Sequence, residues 1–252
     1  MEECDGIAPY CQECGRCSAM SKGMFEVHAD DNIVNLIVDE VVRVIQSQSD
    51  KINYTSTKPL IPLGVSNRHV HLTKNTLEKL FGAGSELITY RELYQPGETA
   101  AQQTVTIVGS KMRAIQNVRI LGPLRNYDQV ELSLTDAVQI GINPPVRNSG
   151  DLKGAAPLTL VGPKGAVYIE ECAIIANRHV HMNNKLAEIF GVHHGDLCHV
   201  RIGGVKSTVF ENVLVRINDS WKLQLHLDTD DANAANVRCE TKVEFVGKMK
   251  EE

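Results

Sequence analysis

Five residues, Asn67-Arg-His-Val-His71, recur unchanged as Asn177-Arg-His-Val-His181, a shift of 110 residues. A β-strand places side chains i and i+2 on one face. His69 with His71, and His179 with His181, can therefore each converge on one ion while Val70 and Val180 turn into an apolar layer. Neutral imidazole suits zinc, copper, iron and nickel. A single His-x-His pair is as readily a polar strand face, but its duplication favours two metal sites or one shared site. Zinc takes three or four ligands and a catalytic site keeps a position open, so further donors are required. The segment from Leu121 to Ser133 offers Glu131 on a short strand and Arg125 in a Gly-Pro turn. The segment from Leu225 to Ala235 offers His226 at the end of an apolar strand, before an acidic turn that can start a helix. On residue types alone Glu131 also reads as a solvated strand carboxylate and Arg125 as a surface turn cation.

The elements that must position these groups are mostly short strands. β-branched runs bounded by Gly, Pro, Asn and Asp recur from Gln103 to Val108, Val118 to Leu121, Gln129 to Leu134, Leu158 to Val161, Val167 to Ile169, Cys172 to Ala176, Cys198 to Ile202 and Lys222 to Leu227. Each His-x-His copy is followed by a short helical pattern, Leu77, Leu80 and Phe81 in the first and Leu186, Ile189 and Phe190 in the second. The repeat divides the body into two homologous β-rich modules, residues 60–150 and 151–247, with the turn-rich run from Asn148 to Gly154 as the junction. Two small closed barrels would leave no exposed strand edges. Ahead of the body, residues 31–47 carry apolar residues at 33, 34, 37, 38, 41, 42, 44 and 45, an amphipathic helix. Residues 48–59 form a polar linker. Residues 1–30 lack periodicity, and their Cys4, Cys11, Cys14 and Cys17 read either as a four-thiolate zinc or iron–sulfur site or as unligated thiols in a tail.

A chain of 252 residues suits one large or two small domains. It is 42% hydrophobic but only 5% aromatic, so the core must be aliphatic. A net charge of −5 gives no basic footprint for nucleic acid or an anionic membrane. The run from Ile33 to Ile45 is interrupted by Asn35, Asp39, Glu40 and Arg43 and is shorter than the roughly 20 residues that span a bilayer. The acidic first residues are unlike a secretory leader, and a cytoplasmic location is expected. Seven cysteines, an odd number, argue against a disulfide framework, and Cys172, Cys198 and Cys239 read as small buried apolar residues. No Ser-His-Asp or Cys-His nucleophile arrangement is evident. A cupin would need a Glu three or four residues after the second His, but the first carboxylate after His71 is Glu78. An amidohydrolase barrel would need many βα units and a longer chain.

Several blocks then carry a family resemblance. Pro62-Leu-Gly-Val-Ser-Asn-Arg-His-Val-His-Leu, Gln95-Pro-Gly, Thr104-Val-Thr-Ile-Val-Gly, Val118-Arg-Ile-Leu-Gly-Pro-Leu-Arg125, Gln129-Val-Glu-Leu-Ser, Ala176-Asn-Arg-His-Val-His-Met and His226-Leu-Asp-Thr-Asp-Asp-Ala-Asn-Ala-Ala stand in order across residues 59–247. The chain resembles the PduL-type phosphate propanoyltransferases, the zinc-dependent phosphotransacylases of bacterial microcompartments. The resemblance implies two six-stranded β-barrel modules with the active site between them, two zinc ions per chain, and transfer of a short acyl group, acetyl or propanoyl, between coenzyme A and phosphate. It makes His69, His71 and Glu131 the ligands of one zinc, facing the coenzyme A sulfur, and His179, His181 and His226 those of the other. It places Arg125 on the phosphate, and Val65, Ser66, Asn67, Lys111, Arg119 and Asn233 on coenzyme A. The stretch from Lys111 to Arg119 is one residue longer than the family spacing. The resemblance also implies a homo-oligomer in a microcompartment, with the 31–47 helix as an encapsulation peptide for shell or cargo proteins. Two other functions remain open on the sequence: a zinc thioesterase using water in place of phosphate, and a non-catalytic zinc-bearing assembly protein.

Overall fold

The computed structural model describes residue 40 and residues 58–249. The chain divides into two units, Met1–Thr57 and Lys58–Glu252, and the strands and barrels belong to the second. The Cys-rich extension, the amphipathic helix apart from Glu40, and most of the linker lie outside the described residues.

Fourteen strands and four short helices follow one another in a mainly β body. In chain order they are β1 (Ile61–Ser66), β2 (His69–His71), α1 (Lys74–Phe81), β3 (Thr89–Glu92), β4 (Thr99–Val108), β5 (Ala114–Gly122), β6 (Gln129–Glu131), α2 (Leu134–Ile140) and β7 (Val146–Arg147). Then come β8 (Ala156–Val161), β9 (Ala166–Ala176), β10 (His179–Met182), α3 (Asn184–Phe190), β11 (Leu197–Ile202), β12 (Thr208–Ile217), β13 (Gln224–Asp228), α4 (Thr229–Ala235) and β14 (Lys242–Lys248).

Pairing closes two six-stranded mixed barrels. The first runs β2-β5-β4-β8-β9-β6 and back to β2. The second runs β10-β12-β11-β14-β1-β13 and back to β10. The two rings correspond strand for strand: β2/β5 and β6/β9 are parallel in one, β10/β12 and β13/β1 in the other, and the remaining pairs are antiparallel. Closure removes the open edges that a six-stranded sheet would present, and β3 and β7 add outside the first ring on β4 and β9.

The rings do not follow the sequential halves. β1, which leads into the first His-x-His motif, closes the second barrel, whereas β9, which leads into the second motif, closes the first. β8 and β9 lie C-terminal to the run from Asn148 to Gly154 yet belong to the first ring. That run has junction-like composition because it makes turns, and turn composition is local, whereas barrel membership is set by long-range pairing.

Each barrel has its own core, aliphatic in the first and aliphatic with buried phenylalanines in the second. Val70, Leu72, Leu77, Leu80, Val105, Ile107, Ile120, Val130, Leu158 and Leu160 fill the first. Leu63, Val180, Met182, Phe190, Val200, Val213, Val215, Leu225, Leu227 and Phe245 fill the second. Cys172 and Cys198 are buried as expected, and burial pushes both thiols up to about 12. Cys239 is exposed, contrary to expectation, because it lies in the loop before β14, where its Sγ accepts from the Val65 N–H at 3.3 Å.

Candidate active site

The strands that bear the candidate ligands share one construction. β2 with His69 and His71, β6 with Glu131, β10 with His179 and His181, and β13 with His226 each run into a helix whose N-cap lies two residues after the last ligand. The caps are Thr73, Ser133, Asn183 and Asp228, and each side chain accepts from the backbone N–H three residues on. A cap of this kind is worth about 1 kcal/mol and fixes where the chain leaves the strand, and so the setting of the ligand just before it.

Pairing then brings the ligands together. His69 lies opposite Glu131 across the antiparallel β2/β6 pair, and His179 lies opposite His226 across β10/β13, the same register in both rings. The ligand atoms of His69, His71 and Glu131 lie within 4.8 Å of one another, and so do those of His179, His181 and His226. His69 Nδ1 is 2.8 Å from the Asn67 carbonyl and His179 Nδ1 is 2.8 Å from that of Asn177. As donors to those carbonyls, both Nδ1 atoms leave Nε2 as the basic nitrogen, the second-sphere arrangement that orients imidazole ligands. His69 Nε2 is 3.4 Å from Glu131 Oε2.

The protonation states suit cation binding. Burial, then the His69 and Arg125 charges, hold His71 down at about 2. Burial, then His179 and Arg216, hold His181 at about 3. His226 is held well below its ordinary value by burial and by its histidine neighbours, and burial also lowers His179. These imidazoles are neutral at pH 7, the form that binds metal. His71 Nδ1, both ring nitrogens of His181, and His226 Nε2 are buried without a hydrogen-bond partner. Such groups are costly to bury unless something satisfies them, and a divalent ion in each cluster would. The donor set, three histidines in one cluster and two with a carboxylate in the other, fits zinc among other first-row metals.

The two clusters are electrostatic neighbours, since His226 feels the charge of His69 and His179 that of Glu131. Around them stand two arginines. Arg125 is half-buried, donates from Nη1 to the Tyr127 hydroxyl at 2.9 Å and has Nη2 3.6 Å from Glu98. Its backbone N–H donates to the Leu72 carbonyl at 2.9 Å, so the turn after β5 is tied to the end of β2. Arg216 on β12 pairs with His181 and lies within electrostatic reach of Glu131, Tyr127, Arg125 and Glu98. Trp221 stacks on His181 with ring centroids 4.0 Å apart, and the Arg216 guanidinium lies 5.2 Å from the indole. Burial raises the Glu98 carboxyl above its ordinary value against the pull of Arg125.

The residues expected at coenzyme A are distributed differently. Val65 and Ser66 end β1 and Asn67 follows, exposed, beside β2. Asn233 is exposed on α4, which packs against β1. Arg119 lies beside His69 on β5, with Nη1 donating to the Ala101 and Gln102 carbonyls at 2.9 Å. Lys111 is not brought to this group: it stands in the β4–β5 hairpin, with its stem against Gly141 at the C-cap of α2. Cys4, Cys11, Cys14 and Cys17 lie outside the described residues.

Sequence reasoning passes over Arg216, Glu98, Trp221 and three buried glutamines, Gln95, Gln129 and Gln224. One signal exists for two of these, since Gln129-Val-Glu131 and Gln224-Leu-His226 place a Gln two residues before each third ligand.

A family model described as phosphate propanoyltransferase matches residues 62–238. A phosphate propanoyltransferase of Lachnoclostridium phytofermentans is 48% identical over 211 residues, 83% of this chain and 96% of that protein. One of Thermotoga maritima is 51% identical over 179 residues, 71% of this chain and 85% of that protein, and one of Salmonella typhimurium is 45% identical over 193 residues, 76% and 91% respectively. With ligand clusters and arginines lying inside the matched span, the chain belongs to the phosphate propanoyltransferase family of phosphotransacylases.

Proposed function

We propose that the protein interconverts a short-chain acyl-CoA plus phosphate with acyl phosphate plus coenzyme A by direct attack of phosphate on the thioester, with a zinc ion in each cluster. The observation that carries this reading is the adjacency of two three-ligand clusters, one of three histidines and one of two histidines with a carboxylate, to Arg125 and Arg216. Both substrates are anions. Bound in these clusters, zinc supplies Lewis-acid charge to a thiolate leaving group and to a polarised oxygen. Arg125 binds and orients the attacking phosphate, a charge-assisted contact with fork geometry, and Arg216 adds positive charge nearby. Glu98 near Nη2 and the Tyr127 hydroxyl on Nη1 hold the Arg125 guanidinium in place. Val65, Ser66, Asn67, Arg119 and Asn233 are assigned to coenzyme A, with Lys111 of the β4–β5 hairpin as its outlying contact.

The region before residue 58 is assigned to targeting, with the 31–47 helix docking to shell or cargo proteins of a microcompartment by helix-in-groove recognition. Among the described residues no helix is long and apolar enough to cross a membrane.

An acyl-CoA panel assayed with and without phosphate, on protein whose metal content is measured, tests the reading. Release of coenzyme A that requires phosphate, with two zinc equivalents per chain, is expected, and the preferred chain length distinguishes acetyl from propanoyl. Phosphate-independent release would assign a thioesterase instead, and no release at all would favour an assembly role.

A further inference from the structure

Gln129 is fully buried, yet it is polar and lies on a ligand strand two residues before Glu131. Its amide has one possible orientation. Gly150 N–H, an obligatory donor, is 2.7 Å from Oε1, so Nε2 must face the other way. There Nε2 donates to Glu131 Oε1 at 2.7 Å and to Ser149 Oγ at 2.8 Å. Both donors and the acceptor are engaged, and a fully satisfied buried amide is rigid. Glu131 is left with one occupied oxygen, Oε1, and one, Oε2, turned toward His69 and the cluster.

We propose that the Gln129–Ser149–Gly150 unit is a positioning device that confines Glu131 to binding a metal through Oε2 alone, thereby keeping a coordination position open at the first cluster. This rests on the proposal that each cluster binds a metal ion. The chemistry is direct. A carboxylate can bind a metal through one oxygen or two, and the second mode would take the position that a substrate atom needs. A short hydrogen bond to Oε1 competes with the second mode. The other barrel shows the same placement without the same need. Gln224 lies opposite His181 as Gln129 lies opposite His71, but its Oε1 accepts from Gln95 Nε2 at 3.2 Å, and the third ligand there is His226, which has no second oxygen to restrain. The first barrel thus uses the equivalent glutamine on the ligand itself. It also gives the run from Asn148 to Gly150 a purpose beyond joining elements.

The test uses the full chain loaded with cobalt in place of the native ion, comparing wild type with Gln129→Leu, which keeps the volume and removes the donor. Four-coordinate cobalt absorbs visible light more strongly than five-coordinate cobalt. In Gln129→Leu both cobalt equivalents are expected to remain, one ion's absorption to weaken, and kcat to fall by about tenfold or more, the usual effect of removing a second-sphere partner. Ser149→Ala, at a half-buried position, should move both readouts the same way by less, and it serves as the probe if Gln129→Leu does not fold. An unchanged spectrum with native kcat would overturn the proposal, as would loss of one cobalt equivalent, which would make the amide necessary for retention and not for denticity. Wild type that binds no metal would overturn the metal reading and this proposal together, whereas two equivalents in wild type with an unchanged variant overturn this proposal alone.

Discussion

Acidification of the metal-stripped protein is the perturbation whose size can be worked most directly from the site. His71 and His181, each 5% exposed, are held at about 2 and about 3 when folded, against 6.5 when unfolded. As the pH falls below 6.5, unfolded chains bind protons at these positions and folded chains do not. The unfolded state therefore gains the advantage, so stability is full above about pH 6.5 and declines as pH drops through the window toward the folded values. One pH unit across that window is worth about 1.4 kcal/mol for each histidine, so the descent to about pH 5 costs about 2 kcal/mol apiece and about 4 kcal/mol for the pair. Against a total stability of about 5–15 kcal/mol this is large, and for a body of this size it corresponds to a fall in Tm of about 10 °C. Glu98 and Asp228 are raised by burial and act in the opposite direction, so the comparison must be with a variant. The assay is calorimetric melting of the chelator-treated full chain between about pH 7 and about pH 5, beside His71→Gln/His181→Gln. The wild type should lose Tm more steeply than the variant, and metal loading should flatten its profile, because bound metal excludes the protons. A wild-type slope equal to the variant's would refute the claim that these imidazoles are held neutral by their surroundings.

Arg125→Ala should raise the KM for phosphate by about 10–150-fold, the equivalent of losing a charge-assisted contact of about 1.5–3 kcal/mol, with metal content unchanged; a native phosphate dependence would remove Arg125 from the site. His69→Ala and His179→Ala should both abolish turnover yet differ in coenzyme A affinity by calorimetry, since the two clusters are decorated differently. Near-native activity in either would exclude a two-metal mechanism. A truncated chain beginning at Asn53 should keep its specific activity and lose self-association in light scattering and co-purification with shell proteins, and a truncated chain that is inactive would make the preceding segment part of the catalytic body.

What is legible in the sequence is whatever is local. The His-x-His motifs announce two paired ligands because strand alternation alone sets their facing. The helices after them are legible from Leu77 and Leu80 and from Leu186 and Ile189. Helix α2 reads in the sequence as the end of a strand, because Leu132 and Leu134 continue the apolar run of Val130. The contrary signal is Ser133 followed by Asp136, the spacing of a capped helix start. The third ligands, Glu131 and His226, stand out as candidate donors by residue type, but which pair each joins is legible only through the resemblance. Glu131 is 62 residues from His69 and His226 is 47 from His179, and what joins each to its pair is strand register, which local pattern does not carry. Arg216 is hidden in the same way: it lies in an alternating run, Val213 and Val215 inward and Arg216 to the other face, and only the β10/β12 pairing sets it beside His181.

The exchange of β1 and β9 between the barrels explains why the two clusters stand near each other. Ser66 pairs with Asp228 on β13 of the second barrel, and three residues later His69 pairs with Glu131 on β6 of the first. Ile174 pairs with Glu131, and five residues later His179 pairs with His226. Each crossing spans few peptide units, and three of them reach at most about 11 Å, so the clusters cannot separate without breaking a barrel. The arginine of each motif lies in its crossing and is anchored beyond the third ligand of its own ring. Arg68 Nη1 binds Asp136 on α2 at 2.7 Å, and Arg178 binds Asp231 on α4 through two contacts, at 2.7 and 2.8 Å. The frame is thus duplicated, and the chemistry differs only where the frame allows it to. Arg125 N donates to the Leu72 carbonyl, and Asn218 N donates to the carbonyl of Met182, the residue equivalent to Leu72, at 3.1 Å. The chain leaving the strand therefore presents a guanidinium in one barrel and an amide in the other, and the proposed phosphate role of Arg125 rests on that difference.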